Sequence, residues 1–245
     1  IVVSHGHTSA AVYAALGNLG YCDVERAVHE FRRNGSMFEG HPSLCVPGVE
    51  WCSGSLGQGL SVGCGFALAA KMKRENYRVF VVMGDGEQEK GQLQEAREFA
   101  AKYQLNNLIA VIDYNGLQAS GELNRIMPQS LQEKYKAAGW NVITVDGHDY
   151  QKLYQAFRWA YRSETGPTVI LAKTVMGKGV PGIENDFHYH GKTLTREQCR
   201  EALGQTAFAE IPGEADGQEK SESSDLWPAA EETGGGTPAR SGNMD

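Results

Sequence analysis

Four short runs of apolar, largely β-branched residues recur along the chain: Arg78–Met83, Leu108–Asp113, Asn141–Val145 and Thr168–Ala172. Helical patterns lie between and before them, at Leu60–Arg74, Gln92–Tyr103, Gln129–Ala138 and Tyr150–Arg162. Strands joined by helices run parallel, and continuous apolar strands are covered on both faces. The pattern predicts an α/β fold with a mostly parallel central sheet flanked by helices on both faces. Upstream, Ser9–Leu19 and Val24–Arg33 read as two further helices, and Leu60–Arg74 is rich in small residues suited to close packing. Residues 34–58 read as a long Gly/Pro/Ser-rich loop, a length that in a compact domain usually carries function. In parallel sheets ligands sit at the carboxyl ends of strands. Site residues are therefore expected just after Met83, Ile112, Val145 and Ala172.

Charge narrows the functional classes. Residues 206–245 hold nine acidic and two basic residues, which account for the whole net charge of −7. They are rich in Gly, Pro, Ser and Glu and lack apolar periodicity, so they read as a disordered acidic tail. Residues 1–205 are then neutral and give no electrostatic reason to bind nucleic acid. No apolar run approaches the roughly 20 residues of a membrane-spanning helix. No basic stretch followed by an apolar run opens the chain, so no signal peptide is expected. The five cysteines form no CxxC pair, so reduced thiols and a cytoplasmic setting are the expectation, without a zinc site or disulfide framework.

Gly84-Asp85-Gly86 directly follows a strand, and Asn115 lies 30 residues after Asp85, just past another. Adjacent parallel strands would bring Asp85 and Asn115 side by side at one sheet edge. A carboxylate, an amide oxygen, a backbone carbonyl and two phosphate oxygens there would suit Mg²⁺, which wants about six hard oxygen ligands. The glycines allow close approach of a diphosphate, and the following helix N-terminus favours its charge. Each segment alone also reads as a tight turn. The pair, one strand–helix–strand unit apart, points to a metal–diphosphate site.

Those two segments resemble the signature of thiamine-diphosphate enzymes, and others narrow the resemblance to transketolases. Ser4-His5-Gly6-His7 is similar to their SxGH element, and Glu39-Gly40-His41-Pro42 to their GHP loop. Pro47-Gly48-Val49-Glu50 followed by Gly54-Ser55-Leu56-Gly57-Gln58-Gly59 resembles PGVE…GxLGQG. Val145-Asp146-Gly147-His148-Asp149 resembles their DGH turn. Lys173-Thr174-Val175-Met176-Gly177-Lys178-Gly179 with Tyr189-His190-Gly191 resembles KTxxGxG…HG. The segments occur in family order over residues 1–204 and match the diphosphate-binding (PP) domain.

The resemblance implies the thiamine diphosphate-binding fold over residues 1–205. It implies Asp85, Asn115 and the backbone of Leu117 as ligands of Mg²⁺ (or Ca²⁺ or Mn²⁺), and Gly86 as a diphosphate contact. It places His7 and His190 around the diphosphate and the reacting carbon, with His188 a close competitor of His190. Gly54, Ser55 and Leu56 match the loop against the cofactor, and His41 the histidine beside the substrate hydroxyls. Histidines suit ketol transfer, which moves protons on and off hydroxyls near neutral pH. His148 reads equally as a turn residue orienting Asp146, and His5 and His29 as ordinary residues. Glu95 matches one glutamate of an acidic network at the family's dimer interface, whereas Lys90 stands where many members carry another. Ser55 replaces a common proline.

The implied activity is transfer of a two-carbon ketol unit from a ketose phosphate to an aldose phosphate. The family draws the glutamate that activates thiamine from a second, pyrimidine-binding (Pyr) domain, which residues after 205 cannot form. The expectation is a catalytic half, an N-terminal subunit or fragment that works with a partner carrying the Pyr and C-terminal domains, as a heterotetramer. Alternatives are the PP domain of another thiamine-diphosphate enzyme, such as deoxyxylulose-phosphate synthase, and a non-catalytic scaffold.

Overall fold

A computed structural model describes residues 1–204. The acidic tail expected at 206–245 lies outside the described residues. The first elements are β1 (Val2–Val3), a 3₁₀ turn (Gly6–Thr8), α1 (Ser9–Asn18), α2 (Val24–Glu30) and α3 (Gly59–Lys73). Next come β2 (Val79–Gly84), a 3₁₀ turn (Gly86–Glu89), α4 (Gly91–Lys102) and β3 (Leu108–Tyr114). A small hairpin, β4 (Leu117–Gln118) and β5 (Gly121–Glu122), leads into α5 (Leu123–Ile126) and α6 (Leu131–Ala137). Then follow β6 (Asn141–Asp146), α7 (Tyr150–Arg162), β7 (Thr168–Lys173), a 3₁₀ turn (Phe187–Tyr189) and α8 (Arg196–Leu203).

Five strands form one all-parallel sheet in the order β1-β2-β3-β7-β6. The two faces are filled differently. On one, Leu60, Cys64 and Ala67 of α3, Leu93 and Ala96 of α4 and Leu131 and Tyr135 of α6 bury Val81, Met83, Leu108, Ala110 and Leu171. On the other, Ala156 and Ala160 of α7 pack on Ile109, Ile170 and Val145. Each fully buried Leu or Ile here contributes about 1.5–3 kcal/mol of transfer free energy. The small residues of α3 do bring the helix unusually close: a Cβ on Gly63 would stand 2.3 Å from Val81 Cγ2.

Helix ends follow local chemistry. Asp23 and Asp149 accept the first free amides of α2 and α7, and Thr195 closes a capping box with Gln198 at α8. The segment 34–58, expected as a loop, contains no regular element but has its own core. Phe38 and Val46 bury against Tyr13 of α1 and Ala27 of α2. Tyr13 donates its hydroxyl to the carbonyls of Glu39 at 2.9 Å and His41 at 3.2 Å. Ser9 donates to the Gly40 carbonyl at 2.9 Å. Burial pushes the Tyr13 phenol up to about 12, so it remains a donor at any working pH. Among the described residues no helix is long and apolar enough to cross a membrane.

Candidate functional site

The register sets the site. Gly84 pairs with Asp113 and Asp113 with Ala172, so β2, β3 and β7 end level. The segments after them open into one cavity of about 590 Å³, within the size range of small-molecule sites. Asp85, Asn115 and Leu117 line it together, the first two as expected from adjacent parallel strands and Leu117 as the resemblance implies. Asp85 is 2% exposed and accepts the Gly116 amide at 2.6 Å. Asn115 Oδ1 accepts the Leu117 amide at 2.8 Å, which fixes the side chain's orientation. Thr174, just past β7, hydrogen-bonds Asp113.

These residues fit a metal-bridged diphosphate. Burial, opposed in part by the Gly116 amide and reinforced by the charge of Asp113, pushes the Asp85 carboxyl up to about 6. No basic group among the described residues forms an ion pair with it. A divalent cation is the compensation such a buried carboxylate lacks. The cavity is also lined by Glu87, Glu89 and Asp113 against a single lysine, Lys90. A diphosphate would be repelled there unless a divalent cation stood between. Among the described residues no cluster of three His, Cys, Asp or Glu side chains is poised for a metal. The donor set is therefore one carboxylate, one amide oxygen and backbone, which suits an ion that borrows its remaining oxygens from a phosphate ligand. A Cβ on Gly84 or Gly86 would meet no protein atom closer than 3.5 Å. Protein packing does not require either glycine, so the space is open toward the cavity.

Three histidines gather at the rim. The rings of His7 and His190 lie 5.4 Å apart between centroids, and those of His5 and His7 5.9 Å apart. His7 is held below the usual imidazole range, first by burial and then by the charges of His5, His190 and His41. It stays neutral near pH 7 and can accept a proton. His41 belongs to this group electrostatically, and its ring edge would lie 3.0 Å from a Cβ on Gly6, but it does not line the cavity. His190 lines the cavity, whereas His188 stacks on Phe187 at 4.1 Å and bonds Asp186 at 2.6 Å. His148 Nε2 accepts the Val175 amide at 2.8 Å, and Asp146 accepts the His148 amide, so this turn orders the segment holding Met176 against the cavity.

Other expected residues are placed less centrally. Leu56 lines the cavity, while Gly54 and Ser55 are exposed beside it. Glu95 is exposed on α4 and does not reach the cavity. Two site residues escape a reading of the sequence. His5, expected to be ordinary, is 7% exposed and lines the cavity. Its Nδ1 lies 3.2 Å from the Val82 carbonyl, which can only accept, so Nε2 is the free acceptor. Glu87 is 2% exposed and takes hydrogen bonds from Ser4, Gly57 and Gly84. Its one visible signal is an acidic side chain immediately after Gly86, a position any solvated turn could fill.

The family described as "Transketolase, thiamine diphosphate binding domain" matches residues 1–222. An apulose-4-phosphate transketolase subunit from Phocaeicola vulgatus is 38% identical over 205 residues, covering 82% of this chain and 72% of the relative. The 6-deoxy-6-sulfo-D-fructose transketolase subunit SqwG of a Clostridium species is 36% identical, covering 84% and 75%. Human transketolase is 35% identical, but the chain spans only 33% of its length. The crystal structure of transketolase from Campylobacter jejuni superposes with a TM-score of 0.80 at 32% identity, over 83% of this chain and 33% of that one.

Proposed function

The chain belongs to the transketolase family through its thiamine diphosphate-binding domain, and on that premise we propose that it is a transketolase N-terminal subunit. In this reading it transfers a two-carbon ketol unit from a ketose phosphate to an aldose phosphate, together with a partner subunit carrying the Pyr and C-terminal domains. Two relatives named as single transketolase subunits, each matched over more than two thirds of its length, support the division. A heterotetramer in the cytoplasm is the assembly that fits.

One observation carries the reading: buried Asp85 and oriented Asn115 stand level at the ends of adjacent strands, facing one cavity with His7 and His190. Asp85, Asn115 and the Leu117 carbonyl would hold Mg²⁺, and the open backbone at Gly84–Gly86 would receive the diphosphate. Thiamine diphosphate, when bound, supplies the electron sink that lets the ketose C2–C3 bond break. The chain's own share is to anchor that group and to move protons. His7, kept neutral first by burial and then by its neighbours, is placed to take a hydroxyl proton, and His190 and His41 to orient or exchange others.

The test combines this chain with a candidate Pyr-domain subunit, thiamine diphosphate and Mg²⁺. Glycolaldehyde transfer is followed from xylulose 5-phosphate, with apulose 4-phosphate and 6-deoxy-6-sulfo-D-fructose as further donors suggested by the relatives' names. Turnover requiring both subunits and lost in Asp85→Ala is expected. Cofactor binding without transfer would leave a scaffold. Condensation of pyruvate with glyceraldehyde phosphate would instead mark a deoxyxylulose-phosphate synthase.

A further inference from the structure

Arg97 is 4% exposed on α4, and its guanidinium forms no ion pair among the described residues. Its Nη1 is fully buried and has no hydrogen-bond partner. The face of the Tyr135 ring lies against the side chain, 5.0 Å from the guanidinium carbon. Arg97 lines a cleft of about 500 Å³ between α4 and α6, together with Gln94, Glu98 and Lys134. None of these residues lines the metal–diphosphate cavity.

A guanidinium so enclosed is costly unless an anion compensates it. The cleft's carboxylate does not do so. Glu98 forms no ion pair with Arg97 and accepts from Gln94 at 3.2 Å. Lys134 donates to Gln129 at 2.6 Å and adds a second cation at the rim. Desolvation first, then the charge of Arg97, holds the Lys134 ammonium below its usual range, with Glu89 partly offsetting. Glu89 has an unpartnered buried oxygen of its own and acts electrostatically on Lys134.

We propose that the α4–α6 cleft is an oxyanion-binding site, separate from the diphosphate cavity, in which Arg97 and Lys134 receive a phosphate or carboxylate group. A guanidinium N–H binds either anion more strongly than a neutral donor does. The source is a small phosphorylated metabolite or an acidic side chain of a partner subunit.

The experiment follows thermal unfolding of the chain in inorganic phosphate, acetate and chloride at matched ionic strength. In phosphate-free buffer Arg97→Met is expected to unfold at the same temperature as the parent or higher, because it removes an uncompensated buried charge and keeps volume. About 20 mM phosphate is expected to raise the parent's Tm by roughly 3 °C above the chloride control. That response should vanish in Arg97→Met and weaken in Lys134→Gln, whose exposed side chain leaves folding intact. A comparable response to acetate marks a carboxylate ligand and a partner side chain as its source, and a phosphate-only response a free phosphorylated ligand. A phosphate response that survives in Arg97→Met belongs to the diphosphate cavity and overturns the proposal. So does a large loss of stability in phosphate-free Arg97→Met, which would make Glu89 the internal partner. No anion-specific response in the parent overturns it as well.

Discussion

Ser4 donates its hydroxyl to Glu87 at 2.5 Å, joining the segment after β1 to the turn after β2 across 83 residues of sequence. The same carboxylate takes the amides of Gly57 at 2.6 Å and Gly84 at 2.9 Å. Three segments that border the cavity therefore meet on one buried side chain. Ser4 in turn accepts the Gly59 amide at 3.1 Å, tying in the start of α3. Glu87→Ala would leave three donors without acceptors at a cost of about 3 kcal/mol or more. Urea unfolding should show a lower midpoint with an unchanged slope, and cofactor affinity should fall with it. An unchanged midpoint would mean that the three segments are held by packing alone.

Asp85 predicts a pH dependence with an unusual sign. Its folded pKa is raised from 3.8 to about 6, so the folded chain holds this proton more tightly than the unfolded chain. The group favours folding below about pH 4, and that contribution is lost as pH rises through about 6. The penalty at neutral pH is on the order of 3 kcal/mol. In metal-free buffer at about pH 8, Asp85→Asn should therefore raise Tm by roughly 6 °C. The same variant should lose the stabilisation that Mg²⁺ with thiamine diphosphate gives the parent. An Asn variant that keeps the full Mg²⁺ response would place the ion elsewhere.

His7 has the opposite dependence. Its folded pKa lies below the ordinary value of 6.5, so the unfolded chain protonates first. Stability tied to this group is present above about pH 6.5 and lost as pH falls toward the folded value. Burial is the largest cause, with His5, His190 and His41 adding to it. Histidine NMR titration should find His7 below 6.5 and should move it upward in His190→Asn. The acid limb of kcat/KM for the assembled enzyme should move upward with it. A pKa of His7 that ignores His190 would sink the claim that the rim histidines act as a group.

Much of this is legible in the sequence because the signal is local. Tyr150–Arg162 coincides with α7, α2 ends at Glu30 rather than Arg33, α8 is not expected from the sequence, and the other main strands and helices that are expected differ by a residue or two at their ends. Asp85 and Asn115 can be paired from sequence because neighbouring parallel strands end level. The two-residue β1 and the β4–β5 hairpin cannot be read, since they are too short to show alternation and exist only through their partners. Residues 34–58 read as an open loop, yet Phe38 and Val46 are buried. Their partner Tyr13 lies more than 20 residues upstream, where no periodicity links them. His5 and Glu87 carry no distinctive local signal for the same reason. Their roles depend on which segments converge, and convergence is a property of the sheet order.

Two glycines of α3 should respond oppositely to the same change. A Cβ on Gly63 would lie 2.3 Å from Val81 Cγ2 and 3.2 Å from Leu108 Cδ1, both in the core. Val81 and Leu108 are fully buried in strands and have no free space to move into. Gly63→Ala should therefore cost about 2 kcal/mol through overpacking and should tilt α3 away from the sheet. Gly65 is exposed on the same helix, and a Cβ there meets nothing within 4 Å. Gly65→Ala should stabilise by about 1 kcal/mol, since alanine restricts the unfolded backbone and glycine does not. Because α3 begins at Gly59, whose amide is held by Ser4, a tilt at Gly63 would also loosen the cavity wall. Paired urea melts and cofactor titrations of the two variants measure both effects. Equal responses at the two positions would refute the close α3–β2 contact.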